Sequence, residues 1–188
     1  MARLILVRHA MPLVEPGVPS LLWGLTEQAR EDCVLLAHHF ALPLGGIVYA
    51  SAERKACETA AVLAFCLGRE VVIDDAFGEI NRPATWDEDY RALAVRYLEG
   101  ESLAGWEPRE HVVLRFSDAV ERARQADAGR DIVVVNHGQA LSLYLASLVS
   151  MEIVPFWRVL SFPDAWALDF ESLELNHVYE AGRAPPDA

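Results

Sequence analysis

Two apolar runs that each lead into a histidine constrain this chain more than any other feature. Leu4–Val7 in "RLILVRHA" is an unbroken aliphatic run, and Ile132–Val135 in "DIVVVNHG" is another. Runs without polar alternation suit strands buried on both faces of a parallel sheet. The first ends in Arg8-His9 and the second in Asn136-His137-Gly138. Ligands of such sheets bind in the crevice outside the carboxyl ends of the strands. If the two strands are neighbours, both imidazoles reach one crevice beside the fixed cation Arg8.

The remaining sequence alternates strand and helix patterns. A helix over "LTEQAREDCVLLAHHFA" starts behind a Thr26 N-cap, with acids in its first turn. "GGIVYAS" reads as the second strand, "AERKACETAAVLAFCLG" as an Ala-rich helix stopped by Gly68, and "EVVIDDAF" as the third strand. "REHVVLRFSDAVERARQA" and "GQALSLYLASLVS" read as helices, and "AWALDFES" with "LELNHVYE" as a closing antiparallel edge. The expected fold class is α/β, a three-layer α/β/α arrangement with a mostly parallel sheet. A single domain is expected over residues 1–180, with 81–108 as a small cap-like excursion holding one helix and 181–188 as a disordered tail. "MEIVPFWRVLSF" is apolar enough for either core or a homodimer surface.

Composition narrows the function. At 188 residues, 53% hydrophobic and 23% charged, the chain can bury one sizeable core. A net charge of −12 argues against a nucleic-acid partner, whose footprint would be basic. No apolar run approaches the ~20 residues of a membrane helix, and the N-terminus lacks the layout of a signal peptide. Cys33, Cys57 and Cys66 are odd in number and lack C-x-x-C spacing, so free thiols in a cytoplasmic protein are expected.

Four stretches can form one site. "VRHA" offers Arg8 and a titratable nucleophile, His9. "VVVNHGQAL" offers His137 at a helix N-terminus, where free backbone N–H groups suit an anion and Gly138 permits close approach. "SAERKACETA" places Ser51 at a strand end and Arg54 and Lys55 at the start of a helix. "FGEINRP" places Glu79 and Arg82 after the third strand. Each stretch alone has a bland reading as a solvated strand end, cap or loop. Together they supply what phosphoryl transfer through a covalent intermediate requires: a nucleophile, donors for the phosphoryl oxygens and an acid for the leaving oxygen. Cations near His9 should keep its imidazole neutral. No Asp/His cluster has metal-ligand spacing, so neither a metal nor another cofactor is expected.

These motifs resemble the histidine phosphatase superfamily, the phosphoglycerate mutase-like group of branch 1. Arg8-His9-Ala10 resembles the family's Arg-His-Gly, His137-Gly138 its late His-Gly, and Ser51 through Thr59-Ala60 its Ser-x-x-x-Arg-x-x-x-Thr-Ala segment. "GLTEQAR" is similar to its Leu-Thr-x-x-Gly, and the likeness spans about Arg3 to Phe170. The resemblance implies a phosphoglycerate mutase-like fold, His9 as the residue that becomes phosphohistidine, Arg8 and His137 as phosphate ligands and Glu79 as proton donor. The catalytic set is then His9, Glu79 and His137.

The departures matter as much. The family's second Arg falls on Lys55, with Arg54 one residue early and rotated by about 100° on a helix, so both are candidate phosphate-binding residues, Arg54 through a local shift of the helix. A lysine places a charge but cannot form a planar bidentate fork. "AMPLVEPG" and "NRPATWDED" replace the elements that follow the Arg-His-Gly and the Glu in mutase relatives, which argues against a mutase. The resulting expectation is a metal-independent phosphatase hydrolysing phosphomonoesters through His9, its substrate unassigned and its partner a phosphorylated small molecule or a phosphoprotein. Arg82 and Trp23 are its candidate contacts for the rest of the substrate, and Trp86 and Trp106 could line the pocket mouth. Two alternatives stand beside it: a phospho-ligand-binding protein in which Lys55 has weakened catalysis, and a phosphohistidine-protein phosphatase acting on a phosphoprotein. A dinucleotide fold is disfavoured because "RHAMPLVEPG" lacks G-x-G-x-x-G.

Overall fold

The computed structural model describes residues 2–40, 46–83 and 90–181. Its strands are β1 (Arg3–Arg8), β2 (Ile47–Ala50), β3 (Glu70–Ile73), β4 (Ile132–Asn136), β5 (Asp164–Asp169) and β6 (Leu175–Glu180). Its helices are α1 (Glu27–His39), α2 (Arg54–Leu67), α3 (Tyr90–Glu99), α4 (Arg109–Ala126), α5 (Gly138–Leu148) and α6 (Ile153–Val159). The strands form one sheet in the order β3-β2-β4-β1-β5-β6. The first four run parallel, while β5 and β6 form the expected antiparallel edge.

The unalternated runs lie in the middle of this sheet because both faces are covered. Leu4, Leu6, Ile132 and Val134 point into one core with Val112 and Phe116 of α4 and Leu141 and Tyr144 of α5. Ile5, Val7, Val133 and Val135 point into the other, with Leu36 of α1 and Ala56, Ala60 and Leu63 of α2. Successive strand residues serve opposite layers, so neither face tolerates a polar residue until the strand ends. β1 pairs with β4 in the register Arg8 to Asn136, and His9 N–H extends the ladder to Asn136 O at 3.0 Å. His9 and His137 therefore leave the sheet side by side.

Local signals set the helix bounds. Thr26 accepts the N–H of Ala29 at 3.1 Å and starts α1, and Gly68, at φ 59°, ends α2 in the left-handed conformation. The third strand is shorter than its sequence pattern implied. Asp74 accepts the N–H of Ala76 and turns the chain into a 3₁₀ turn at Asp75–Phe77. "MEIVPFWRVLSF", apolar enough for core or a dimer surface, forms the helix α6, with Ile153, Val154, Phe156 and Trp157 packed on the α4/α5 core. The three cysteines are free thiols, Cys33 buried and the other two half-buried. Among the described residues no helix is long and apolar enough to cross a membrane. Residues 182–188, most of the expected tail, and Trp86 lie outside the described residues.

Candidate active site

A cavity of about 900 Å³ opens at the carboxyl ends of β1, β2 and β4, and Arg8, His9, Lys55, Glu79 and His137 all line it. His9 follows β1 directly. Its Nδ1 lies 2.8 Å from the carbonyl of Ala10, an acceptor, so Nδ1 carries the proton and Nε2 keeps its lone pair. The loop is tied to α2 through Thr59, whose hydroxyl accepts the N–H of Ala10 at 3.0 Å and donates to Lys55 O at 2.8 Å. Burial, then His137, Lys55 and Arg8, hold the His9 imidazole well below its usual range. Desolvation is thus a larger cause than the cations that the sequence places near this ring.

His137 is 1% exposed, with its ring centroid 5.1 Å from that of His9. Its Nε2 lies 2.8 Å from the Ser51 hydroxyl, and burial together with Lys55, Arg8 and Arg115 keeps it neutral too. Arg8 is clamped. Nη1 donates to Leu160 O at 2.6 Å, and the guanidinium carbon lies 3.5 Å above the Phe162 ring. On its other side is Gly138, where a Cβ would come within 3.1 Å of Nε. The glycine makes room for the guanidinium at the helix N-terminus. Burial lowers Arg8 to about 10, which leaves it charged near neutrality.

The two cations at the start of α2 take different directions. Lys55 is buried at 6% exposure, donates to Ser20 O at 2.9 Å and is ion-paired with Glu53. Arg54 turns away from the cavity and pairs with Glu58 at 2.8 Å on the exposed face. The structure thus brings Lys55 to the site and leaves Arg54, the other candidate phosphate ligand, outside it: α2 keeps its register, and the two side chains stay about 100° apart.

Glu79 is held by backbone. Its carboxylate accepts the N–H groups of Ala140 at 2.9 Å, Gln139 at 3.2 Å and Ile80 at 3.2 Å. Burial, followed by the nearby Glu53 charge, still pushes this carboxyl above its ordinary range. The loop carrying it is anchored from α4: Arg115 donates to the carbonyls of Ala76, Gly78 and Glu79 and pairs with Glu107 at 2.8 Å. Phe77 packs edge-on against Phe116 beneath the same loop.

Arg82 and Trp23 also line the cavity. The Arg82 guanidinium sits 4.2 Å over the Tyr90 ring. The Trp23 indole N–H donates to Val18 O at 3.0 Å, fastening the loop before α1. Trp106 is not a lining residue; it stacks behind Tyr90. Ser51 lines the cavity as its motif suggested, while Glu53, Tyr90, Arg115 and Phe162 are further lining residues that the sequence did not single out. Glu53 could have been suspected, because it sits two residues from Lys55 and two from Ser51. Phe162 and Arg115 carried no local signal. Among the described residues no group of three or more His, Cys, Asp or Glu side chains is placed to hold a metal ion.

Residues 4–165 match the family model of the histidine phosphatase superfamily (branch 1). Phosphoserine phosphatase 1 of Hydrogenobacter thermophilus is 27% identical over 177 residues, covering 84% of this chain and 81% of that protein. The solved structure of Bacillus stearothermophilus YhfR has a TM-score of 0.76 at 19% identity, covering 98% of both chains. A mycobacterial glucosyl-3-phosphoglycerate phosphatase has a TM-score of 0.70 at 21% identity, covering 95% of this chain and 98% of that one. The structural likenesses concern the fold.

Proposed function

The chain belongs to branch 1 of the histidine phosphatase superfamily and is a phosphatase, and we propose that it hydrolyses phosphomonoesters of small molecules through a phosphohistidine on His9. One observation carries this reading: His9 presents a neutral imidazole, with its proton fixed on Nδ1, between Arg8, Lys55 and His137 in a single cavity. The Nε2 lone pair attacks phosphorus as the ester P–O bond breaks. Arg8, Lys55 and His137 stabilise the charge on the phosphoryl oxygens. Glu79, whose carboxyl is pushed above its ordinary range by burial and then by Glu53, gives its proton to the leaving alkoxide. The resulting carboxylate then takes a proton from water as that water attacks phosphorus. The N–P bond breaks, and phosphate and neutral His9 are released.

Arg82 on its Tyr90 platform and the wall formed by Trp23 face the alcohol portion of the ester in this reading. Lys55 in place of the family's arginine, paired with Glu53, lacks the bidentate fork that would stabilise the transferring phosphoryl group, and this weakening of catalysis keeps the binding-protein reading as the rival. Hydrolysis of p-nitrophenyl phosphate in EDTA, wild type beside His9→Ala, tests the proposal. Chelator-resistant turnover lost in the variant supports it. Phosphate binding without turnover in the wild type supports the rival.

A further inference from the structure

Glu53 puts an anion where the phosphoryl chemistry asks for cations. It precedes α2, lines the cavity and is 19% exposed. Its Oε2 is ion-paired with Lys55, while its Oε1 accepts the Glu79 N–H at 3.1 Å and lies 3.4 Å from His137 Nε2. Its own N–H donates to the Ser51 hydroxyl, which is bonded to His137. One carboxylate therefore touches the ammonium beside His9, the second imidazole and the backbone of the acid. The other contact of Lys55 Nζ, Ser20 O, is neutral, so Glu53 decides how much of that positive charge is available to an incoming phosphate.

We propose that Glu53 is a positioning residue that couples Lys55 to the Glu79 loop, presenting ammonium and acid to one phosphoryl group while its charge limits how tightly phosphate is held. The inference rests on the phosphatase reading above. In such an enzyme, phosphate is the product, and an over-tight anion site delays its release. The same charge favours the protonated acid. Glu79 is faced by Glu53 from the start of α2, Arg8 from β1 and Tyr90 and Tyr97 from α3; Arg115 of α4, paired with Glu107, holds its loop, and Lys55, His137 and Arg82 line the same cavity. Glu107 is paired with Arg115, so Glu53 is the carboxylate whose charge reaches Glu79, and it acts in the direction a proton donor needs.

Glu53→Gln keeps an oxygen that can accept the Glu79 N–H and removes the charge; Glu53→Ala removes both. Binding of inorganic phosphate by calorimetry in EDTA should tighten about tenfold in Glu53→Gln, and the alkaline limb of kcat/KM should move down by roughly one pH unit. Glu53→Ala should also bind phosphate more tightly, yet have a lower kcat than Glu53→Gln at the acid end of the profile, because the Glu79 loop has lost its tether. Phosphate affinity unchanged or weakened in both variants, with the limb unmoved, overturns the proposal. A purely structural role predicts that Tm, affinity and kcat fall together. Failure of the wild type to turn over any ester would sink the phosphatase reading, and the phosphate titration would still decide the part assigned to Glu53.

Discussion

Gly138→Ala should disable the site while leaving the fold nearly untouched. An alanine Cβ at this position would lie 3.1 Å from Arg8 Nε, 3.2 Å from Cζ and 3.3 Å from Nη2. Ordinary contact needs about 3.5–4.0 Å, so the guanidinium must retreat by roughly half an ångström. Retreat is blocked by the Phe162 ring, 3.5 Å from Cζ, and by the 2.6 Å bond from Nη1 to Leu160 O. Arg8 must then swing, and losing its charge-assisted contact to the phosphoryl group costs about 1.5–3 kcal/mol, roughly ten- to a hundredfold in kcat/KM. For stability, overpacking costs about 1–3 kcal/mol, and replacing glycine in a helix returns about 1 kcal/mol. The net of at most ~2 kcal/mol corresponds to a Tm decrease below roughly 8 °C. Steady-state hydrolysis of p-nitrophenyl phosphate and a thermal melt read the two quantities separately. A variant with kcat/KM within about threefold of wild type would refute the clamp on Arg8.

Three further outcomes are expected. Lys55→Ala should lower kcat/KM about tenfold or more, whereas Arg54→Ala, a change on the exposed face, should alter it less than about threefold; equal effects would contradict the assignment of Lys55 to the site. The pH profile of kcat/KM should be a bell. Its acid limb, where His9 gains a proton, lies well below pH 6.5, and its alkaline limb, where Glu79 loses its own, lies above the usual carboxylate range. An acid limb at or above 6.5 would mean that His9 is not held neutral. Arg115→Ala should reduce kcat and stability together, because the carbonyls of Ala76, Gly78 and Glu79 lose their shared donor; a kcat kept at the wild-type level would show that the acid loop stands without it.

What the sequence made legible follows from how local each signal was. The histidines stood out because unalternated strands must be central, and central parallel strands deliver their next residues to one crevice. Helix spacing separated Arg54 from Lys55 by about 100° but left both as phosphate-binding candidates, because a local shift of α2 would exchange them; the pairing of Arg54 with Glu58 is what places it outside the site. Glu79, by position alone one more loop carboxylate, took its role from the family resemblance, because its backbone cradle at the start of α5 joins segments far apart in the chain. The clamp on Arg8 by Leu160 and Phe162 exists only because β5 pairs antiparallel beside β1. Arg115 looked like one more charge on an amphipathic helix, and its carbonyl partners lie on a turn whose position no periodicity encodes. The end of β3 at Ile73 was set by the Asp74 side chain competing for the backbone, a contact shorter than the apolar pattern could report.

The central claim is covalent: phosphate passes through His9. Wild-type enzyme mixed with a phosphomonoester, quenched in base within the first turnovers and digested, should yield the peptide containing His9 heavier by one phosphoryl group. That label should survive base and disappear on brief acid treatment. A phosphoryl group on any other residue, or its absence from His9 while ester is being hydrolysed, would contradict the account.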